Sequence, residues 1–379
     1  MAMQKIILSF LAVLLVGVLA FRLFPTSVRQ TAEPITIGVA FAQSGVADEW
    51  GEGALHVVDL YVNKLNGKGG INGHLIKLIV EDTRSTNVGT VNAVSKLINV
   101  DNVPVILGPT WADSFQGALP IAEKAKVVLM SADTSIDVAE SEKNFDYFFS
   151  TFWPQASEVG ALEGYLIDHK LSRIAVVTDK DPFDVGMGQA FKQDALEKGM
   201  AIISYDELPI GQADFRTTLV KLRAEHLEAV IFFFQDPATV GPFAKQAHEL
   251  GLTVPMLSGS STQNNGLVQK FGPVLNGVYY SYPAESTEES YRSLVKEYKA
   301  TYGDLPAIPS LPNTYNAVHA VTATLEKGAR TGEEIKDALY RLKTSGIGVK
   351  ELSFTSRGQV ANVPFTIKTI REGQFVETK

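Results

Sequence analysis

The chain has 379 residues, enough for two domains with full cores. Its 45% hydrophobic and 20% charged residues are those of a globular protein, and a net charge of −8 excludes the basic stripe that a nucleic-acid surface needs. The absence of cysteine excludes a disulfide framework, a thiol nucleophile, a thiolate metal site and a lipid-modified N-terminal cysteine.

At the N-terminus, Lys5 precedes an uncharged apolar run over residues 6–21, and Arg22 follows it. A signal-peptide core is about 7–15 residues and a full span about 20, so this run lies between the two. Residues 1–24 are therefore expected to be a signal peptide or an N-terminal membrane anchor. Val18, Leu19 and Ala20 form a poor cleavage site, and an uncleaved segment would tether the protein to the inner membrane. An ordinary core helix fits less well, because the run is apolar on all sides. Residues 25–34 read as a linker.

Residues 35–82 read as a βαβ unit. The apolar run 35–41 enters a loop with Ser44 and Gly45. Leu55, Val58, Tyr61, Val62 and Leu65 then recur at helical spacing. Gly67, Gly69 and Gly70 end the helix, and the run 76–80 closes a right-handed crossover. Strand and helix go on alternating: a helix striped by Val91, Val94, Leu97 and Ile98, a strand over 103–107, a helix over 118–126 and a strand over 127–130. Residues 147–149 form a further short apolar segment. A second series starts near Gln155, with helices over 155–169, 184–198, 214–223 and 237–250. Its strands are expected over 174–178, 201–205, 229–234, 256–257 and 278–281. Asp184 is expected to cap the second of these helices. Three amphipathic helices follow Pro283, with capping boxes at Ser286/Glu289 and Thr331/Glu334. Strands near Leu352, over 363–370 and near Phe375 end the chain. Such alternation implies parallel sheets with helices on both faces.

Ser44-Gly45, Trp50-Gly51, Asn66, the run Lys68-Gly-Gly-Ile-Asn-Gly73 and Glu81-Asp82 occur in an order that resembles the branched-chain amino-acid (Leu/Ile/Val-binding) family of periplasmic solute-binding proteins. The run 214–223 ahead of the strand at 229–234 extends the likeness, which covers about residues 35–375. The resemblance implies an α/β fold of two doubly wound parallel-sheet lobes joined by a three-crossing hinge, the type I periplasmic-binding fold. It places crossings near 151–154, 281–283 and 345–350. Lobe 1 is then 35–152 plus 283–346, and lobe 2 is 154–281 plus 350–379. It also implies a monomer that closes on a small-molecule ligand and delivers it to an ABC-transporter permease in the membrane, without a cofactor.

Ligands of such sheets lie at strand carboxyl ends beside helix N-termini, whose free N–H groups suit a carboxylate. By resemblance, Thr134 matches a carboxylate-binding Thr. The family's other hydroxyl position falls on Ala112, where only a backbone N–H could serve, with Thr110 and Ser114 nearby. A family Glu that holds the ligand ammonium is replaced by Ser260, and an aromatic partner falls near Asp236. An ammonium left without a carboxylate in a closed site is costly. Either Asp133 or Asp236 replaces that Glu, or the ligand is not an α-amino acid. Asp236 equally reads as a helix cap before Pro237. Trp50 and Phe183 match family Tyr residues around the ligand, and Trp111 lies close by. Phe152 and Trp153 are first in line to be core. Aromatic walls suit an apolar or planar ligand.

Catalysis finds little support. The six histidines show no metal-binding spacing, and there is no nucleophile elbow or phosphate loop. Asp179, Asp181 and Asp184 could pair for acid/base work or bind a cation, but a turn with a helix cap explains them more simply. The leading function is an extracytoplasmic solute-binding protein for a carboxylated apolar or aromatic compound or a hydrophobic amino acid. The alternative is a membrane-tethered receptor domain of the same fold.

Overall fold

The first half of the chain alternates β1 (Ala32–Phe41), α1 (Asp48–Gly67), β2 (His74–Asp82), α2 (Asn87–Asn99), β3 (Val105–Leu107), α3 (Leu119–Ala125) and β4 (Val128–Ser131), then adds β5 (Phe148–Ser150). The strands form one parallel sheet in the order β2-β1-β3-β4-β5. Both faces are covered. Ile37, Val39, Val105 and Leu107 pack into one core and Ala40, Ile106 and Leu129 into the other. This is why these strands read as unbroken apolar runs rather than alternating ones. The structure is a computed structural model and describes residues 32–45, 47–110, 115–136, 145–284, 289–305 and 310–378. The expected signal peptide or anchor and most of the expected linker lie outside the described residues.

The second series is α4 (Gln155–Asp168), β6 (Arg173–Asp179), α5 (Pro182–Glu197), β7 (Ala201–Leu208), α6 (Arg216–Ala224), β8 (Ala229–Phe233), α7 (Pro237–Glu249), β9 (Met256–Ser258), α8 (Asn265–Leu275) and β10 (Val278–Pro283). Three helices follow: α9 (Glu289–Tyr302), α10 (Ser310–Glu326) and α11 (Gly332–Tyr340). The chain then closes with β11 (Phe365–Arg371) and β12 (Gln374–Glu377). The second sheet runs β12-β11-β10-β9-β8-β6-β7.

Several features depart from the sequence reading. The second sheet is not purely parallel, because β11 and β12 add antiparallel at its edge. Glu372 and Gly373 between them have φ of 50° and 73°, the pair of positive values that a tight two-residue hairpin turn requires. Helix α8 was not expected; Asn264 caps it, its side chain accepting from the Leu267 N–H at 2.9 Å. Leu352 makes only an isolated bridge with Thr344 instead of a strand. The capping box at Thr331 and Glu334 is present, whereas Ser286 lies outside the described residues.

Helices α10 and α11 pack on the first sheet through Val318, Val321, Ile335 and Leu339. Leu352, Phe354 and Val360 join the same core, and the chain re-enters the second sheet only at Phe365. The expected third crossing over 345–350 thus lies ahead of residues that still pack with the first sheet. Residues 150–152 and 358–360 are tied together. Ser150 N–H donates to Gly358 O at 2.9 Å, and Val360 N–H donates to Ser150 O at 2.8 Å. The Gln359 amide donates to Phe152 O and accepts from Ile136 N–H at 2.8 Å.

Strand order reverses at β1/β3 in the first sheet and at β6/β8 in the second, and ligand crevices form at the carboxyl ends of such strands. Gly51 sets the first of these ends. A Cβ there would lie 1.9 Å from Ala42 O, so only glycine lets α1 lie this close to the loop after β1. That approach carries Trp50 to the crevice.

Candidate ligand-binding site

A cavity of about 240 Å³ lies where these carboxyl ends face each other. Glu49 and Trp50, at the start of α1, reach it from the first sheet, and Phe152 and Trp153 reach it from the first crossing. The second sheet supplies most of the rest. Phe183, Asp184 and Met187 come from the start of α5, Phe233, Phe234 and Gln235 from the end of β8, and Ser260, Ser261 and Gln263 from the loop after β9. Two aromatics expected to be core are therefore on the wall. The Phe152 and Trp153 rings stack with centroids 4.0 Å apart.

Sequence reasoning did not find Glu158. It sits in the first turn of α4, 1% exposed, and lines the cavity. Its Oε2 accepts from the Trp153 indole N–H at 3.0 Å, and its Oε1 accepts from the Ser260 N–H at 2.5 Å. Burial pushes the carboxyl above its ordinary range, and these hydrogen bonds oppose that push. An acid in the first turn of a helix reads from sequence as a complement to the helix dipole, so nothing in the pattern marked it.

Asp184 is not the cap of α5. Asp181 is, its side chain accepting from the Phe183 N–H at 2.9 Å, while Asp179 accepts from the Asp181 N–H at 2.9 Å. Asp184 is 2% exposed and accepts from the Gln235 N–H at 2.7 Å, which joins the loops after β6 and β8. Burial, together with the facing Asp179 carboxyl to which it hydrogen-bonds, holds it protonated well above the usual carboxylate range.

That shift has a sign. The folded state binds a proton that the unfolded state releases, so the associated stability is present below the ordinary carboxyl pKa near 3.8 and is lost as pH rises towards the raised value. The slope is on the order of 1 kcal/mol per pH unit within that window. Asp184→Asn keeps an acceptor for Gln235 and a donor for Asp179. It is expected to flatten the fall of Tm between pH 5 and pH 8, as measured by thermal denaturation across that range. Parallel wild-type and variant curves would show that Asp184 does not titrate in this way.

The remaining expected site residues divide. Trp50, Phe183 and Ser260 line the cavity. Asp236 does not: it caps α7, exposed, its side chain accepting from the Ala238 N–H at 2.8 Å. Asp133 and Thr134 follow β4 and are not among the described lining residues. Their N–H groups both donate to the Ser131 hydroxyl at 3.2 Å, and Asp133 Oδ2 and Thr134 Oγ1 are buried without a hydrogen-bond partner among the described residues. Burial pushes Asp133 up to about 7. Thr110 accepts from the Ala42 N–H at 2.7 Å, tying the loops after β1 and β3. Trp111 and Ala112 lie outside the described residues. Among the described residues, no group of three or more His, Asp or Glu could hold a metal ion, and no helix is long and apolar enough to cross a membrane.

The model of the family described as "Periplasmic binding protein" matches residues 34–374. The leucine-specific-binding protein of Salmonella typhimurium is 23% identical over 341 residues, covering 89% of this chain and 90% of its own. A leucine-, isoleucine-, valine-, threonine- and alanine-binding protein of Pseudomonas aeruginosa is 24% identical over 345 residues, covering 90% and 91%. Among solved structures, the branched-chain amino acid transporter substrate binding protein LivJ of Streptococcus pneumoniae, in complex with isoleucine, superposes with a TM-score of 0.75 at 21% identity, covering 91% of this chain and 99% of its own. An ABC-transporter solute binding protein of R. palustris, in complex with benzoate, gives 0.72 at 17% identity, covering 91% and 95%. At these identities the superpositions show the fold.

Proposed function

The chain belongs to the periplasmic binding protein family, and from that premise we propose that it captures a small ligand with an apolar or aromatic body outside the cytoplasm and delivers it to an ABC permease. One observation carries the ligand class. The loops at the reversal points of both sheets meet in a cavity whose described wall carries six aromatic rings. Relatives named for leucine and other aliphatic amino acids, and structural neighbours holding isoleucine or benzoate, support such a body and favour transport over a tethered receptor.

In this reading the two sheets with their helices are lobes that hinge through 151–154, 281–283 and 361–364. A ligand that touches Trp50 on one side and Phe183 on the other favours the closed state by its differential affinity for it. Thr134, with its unpartnered hydroxyl, is the first lobe's group for a ligand carboxylate, together with the backbone near Ala112. Asp133 lies beside it. Export directed by residues 1–24, a monomeric state and the lack of a catalytic role are part of the same proposal.

Small-angle scattering with and without saturating leucine, phenylalanine or benzoate tests the capture reading. A smaller radius of gyration with at least one of them is expected. An unchanged radius together with measured binding would overturn closure.

A further inference from the structure

The described lining of the cavity contains three acids, Glu49, Glu158 and Asp184, and no lysine, arginine or histidine. Asp184 hydrogen-bonds to the facing Asp179 carboxyl, and Glu49 is exposed. Glu158 is the buried one of the three that has no other carboxyl beside it. Its oxygens face neutral donors, the Trp153 indole, the Ser260 N–H and the Ser260 and Ser281 hydroxyls, and among the described residues no basic side chain pairs with it. The same cavity is lined by the rings of Trp50, Phe152, Trp153, Phe183, Phe233 and Phe234. Aromatic faces carry negative charge density and attract a cation, most strongly where water is excluded. The carboxylate and the rings thus favour the same ligand charge, and the described lining supplies no counter-charge. The Ser260 backbone N–H fixes the Glu158 carboxyl against the loop after β9.

We propose that Glu158 is the counter-ion for a protonated amine on the ligand, so that the cavity selects hydrophobic amines, α-amino acids included, over the same compounds lacking the amine. This rests on the capture reading and narrows its ligand class. Burial raises the free carboxyl, and an arriving ammonium stabilises its ionised form. The amine therefore meets a group whose charge the ligand itself completes.

The test is calorimetric titration of the full-length protein with three matched series: leucine and phenylalanine, the deaminated acids isocaproate and hydrocinnamate, and the decarboxylated amines isoamylamine and phenethylamine. The wild-type protein is expected to bind at least one amine-bearing probe about 30-fold or more tighter than its deaminated match, the loss typical of removing one partner of a buried charge pair. In Glu158→Gln that ratio is expected to contract by about tenfold or more. The ratio is taken within one protein, so a general loss of packing does not mimic the effect. Deaminated acids that bind as tightly as the amino acids would overturn the inference and leave capture standing. A preference for the amine that survives Glu158→Gln would remove Glu158 from the role. If no probe of any series binds, the inference and the apolar-ligand reading both fall.

Discussion

Trp50→Ala is expected to weaken binding of leucine, phenylalanine or benzoate, whichever the protein takes most tightly, by about 2–4 kcal/mol, the cost of truncating a central aromatic anchor. Trp50 and Glu49 are the first sheet's contribution to the described lining, so the indole is the surface against which that side closes on a ligand. The ring is partly exposed without a ligand, and its removal leaves the cores of both sheets intact. Thermal stability of the ligand-free protein should therefore change little, while calorimetry records the affinity loss. Affinity within about 0.5 kcal/mol of wild type would place the ligand elsewhere.

The largest stability effect is expected at Phe243. Its ring is fully buried in α7, with centroids 5.3 Å from Phe215, 5.0 Å from Phe232 and 5.3 Å from Phe234. Phe243→Ala removes a member that touches the other three and leaves a void that helix and strand cannot both move to fill. The expected cost is about 3–5 kcal/mol. That corresponds to a fall in Tm on the order of 10 °C, measured by scanning calorimetry of the ligand-free protein. Phe234 is shared between this cluster and the cavity wall, so ligand affinity should fall as well. A Tm shift below about 2 °C would mean that the cluster relaxes around the gap.

These expectations draw on a fold whose alternating elements were legible at residue level. Parallel strands buried on both faces write themselves as short apolar runs such as 229–233, and helices as stripes such as Val94, Leu97 and Ile98. The edge hairpin and α8 were harder to see. Glu372-Gly373 is a weak turn signal beside Asn-Gly, and Pro273 lies inside α8. In the site, the positions readable as strand–loop–helix junctions, Trp50 and Phe183, reached the cavity. Asp236 also sits at such a junction, but its carboxylate turns back to cap its own helix, and sequence gives the cap and the ligand contact the same signature. Glu158 was illegible for another reason. Its role depends on α4 meeting the loop after β9, a contact between residues 102 positions apart that no local pattern encodes.

The uneven division of the cavity wall has a kinetic consequence. With the second sheet and the first crossing supplying nearly all of the described lining, an open protein already presents most of the ligand's contacts on one body. Arrival is then a single encounter with that half-site, at a rate insensitive to what stands on the opposite side. In the proposed closure Trp50 would enter later, as the latch that sets how long the ligand stays. The two halves of the affinity are thereby separable in time. Changes around Phe183, Phe234 or Ser260 should reach the first encounter, while changes at Trp50 or along the Ser150–Val360 tie should act on residence. A membrane partner that must prise the lobes apart to obtain its cargo then works chiefly against the latch, and needs only to undo the smaller share of the contacts before the ligand can leave.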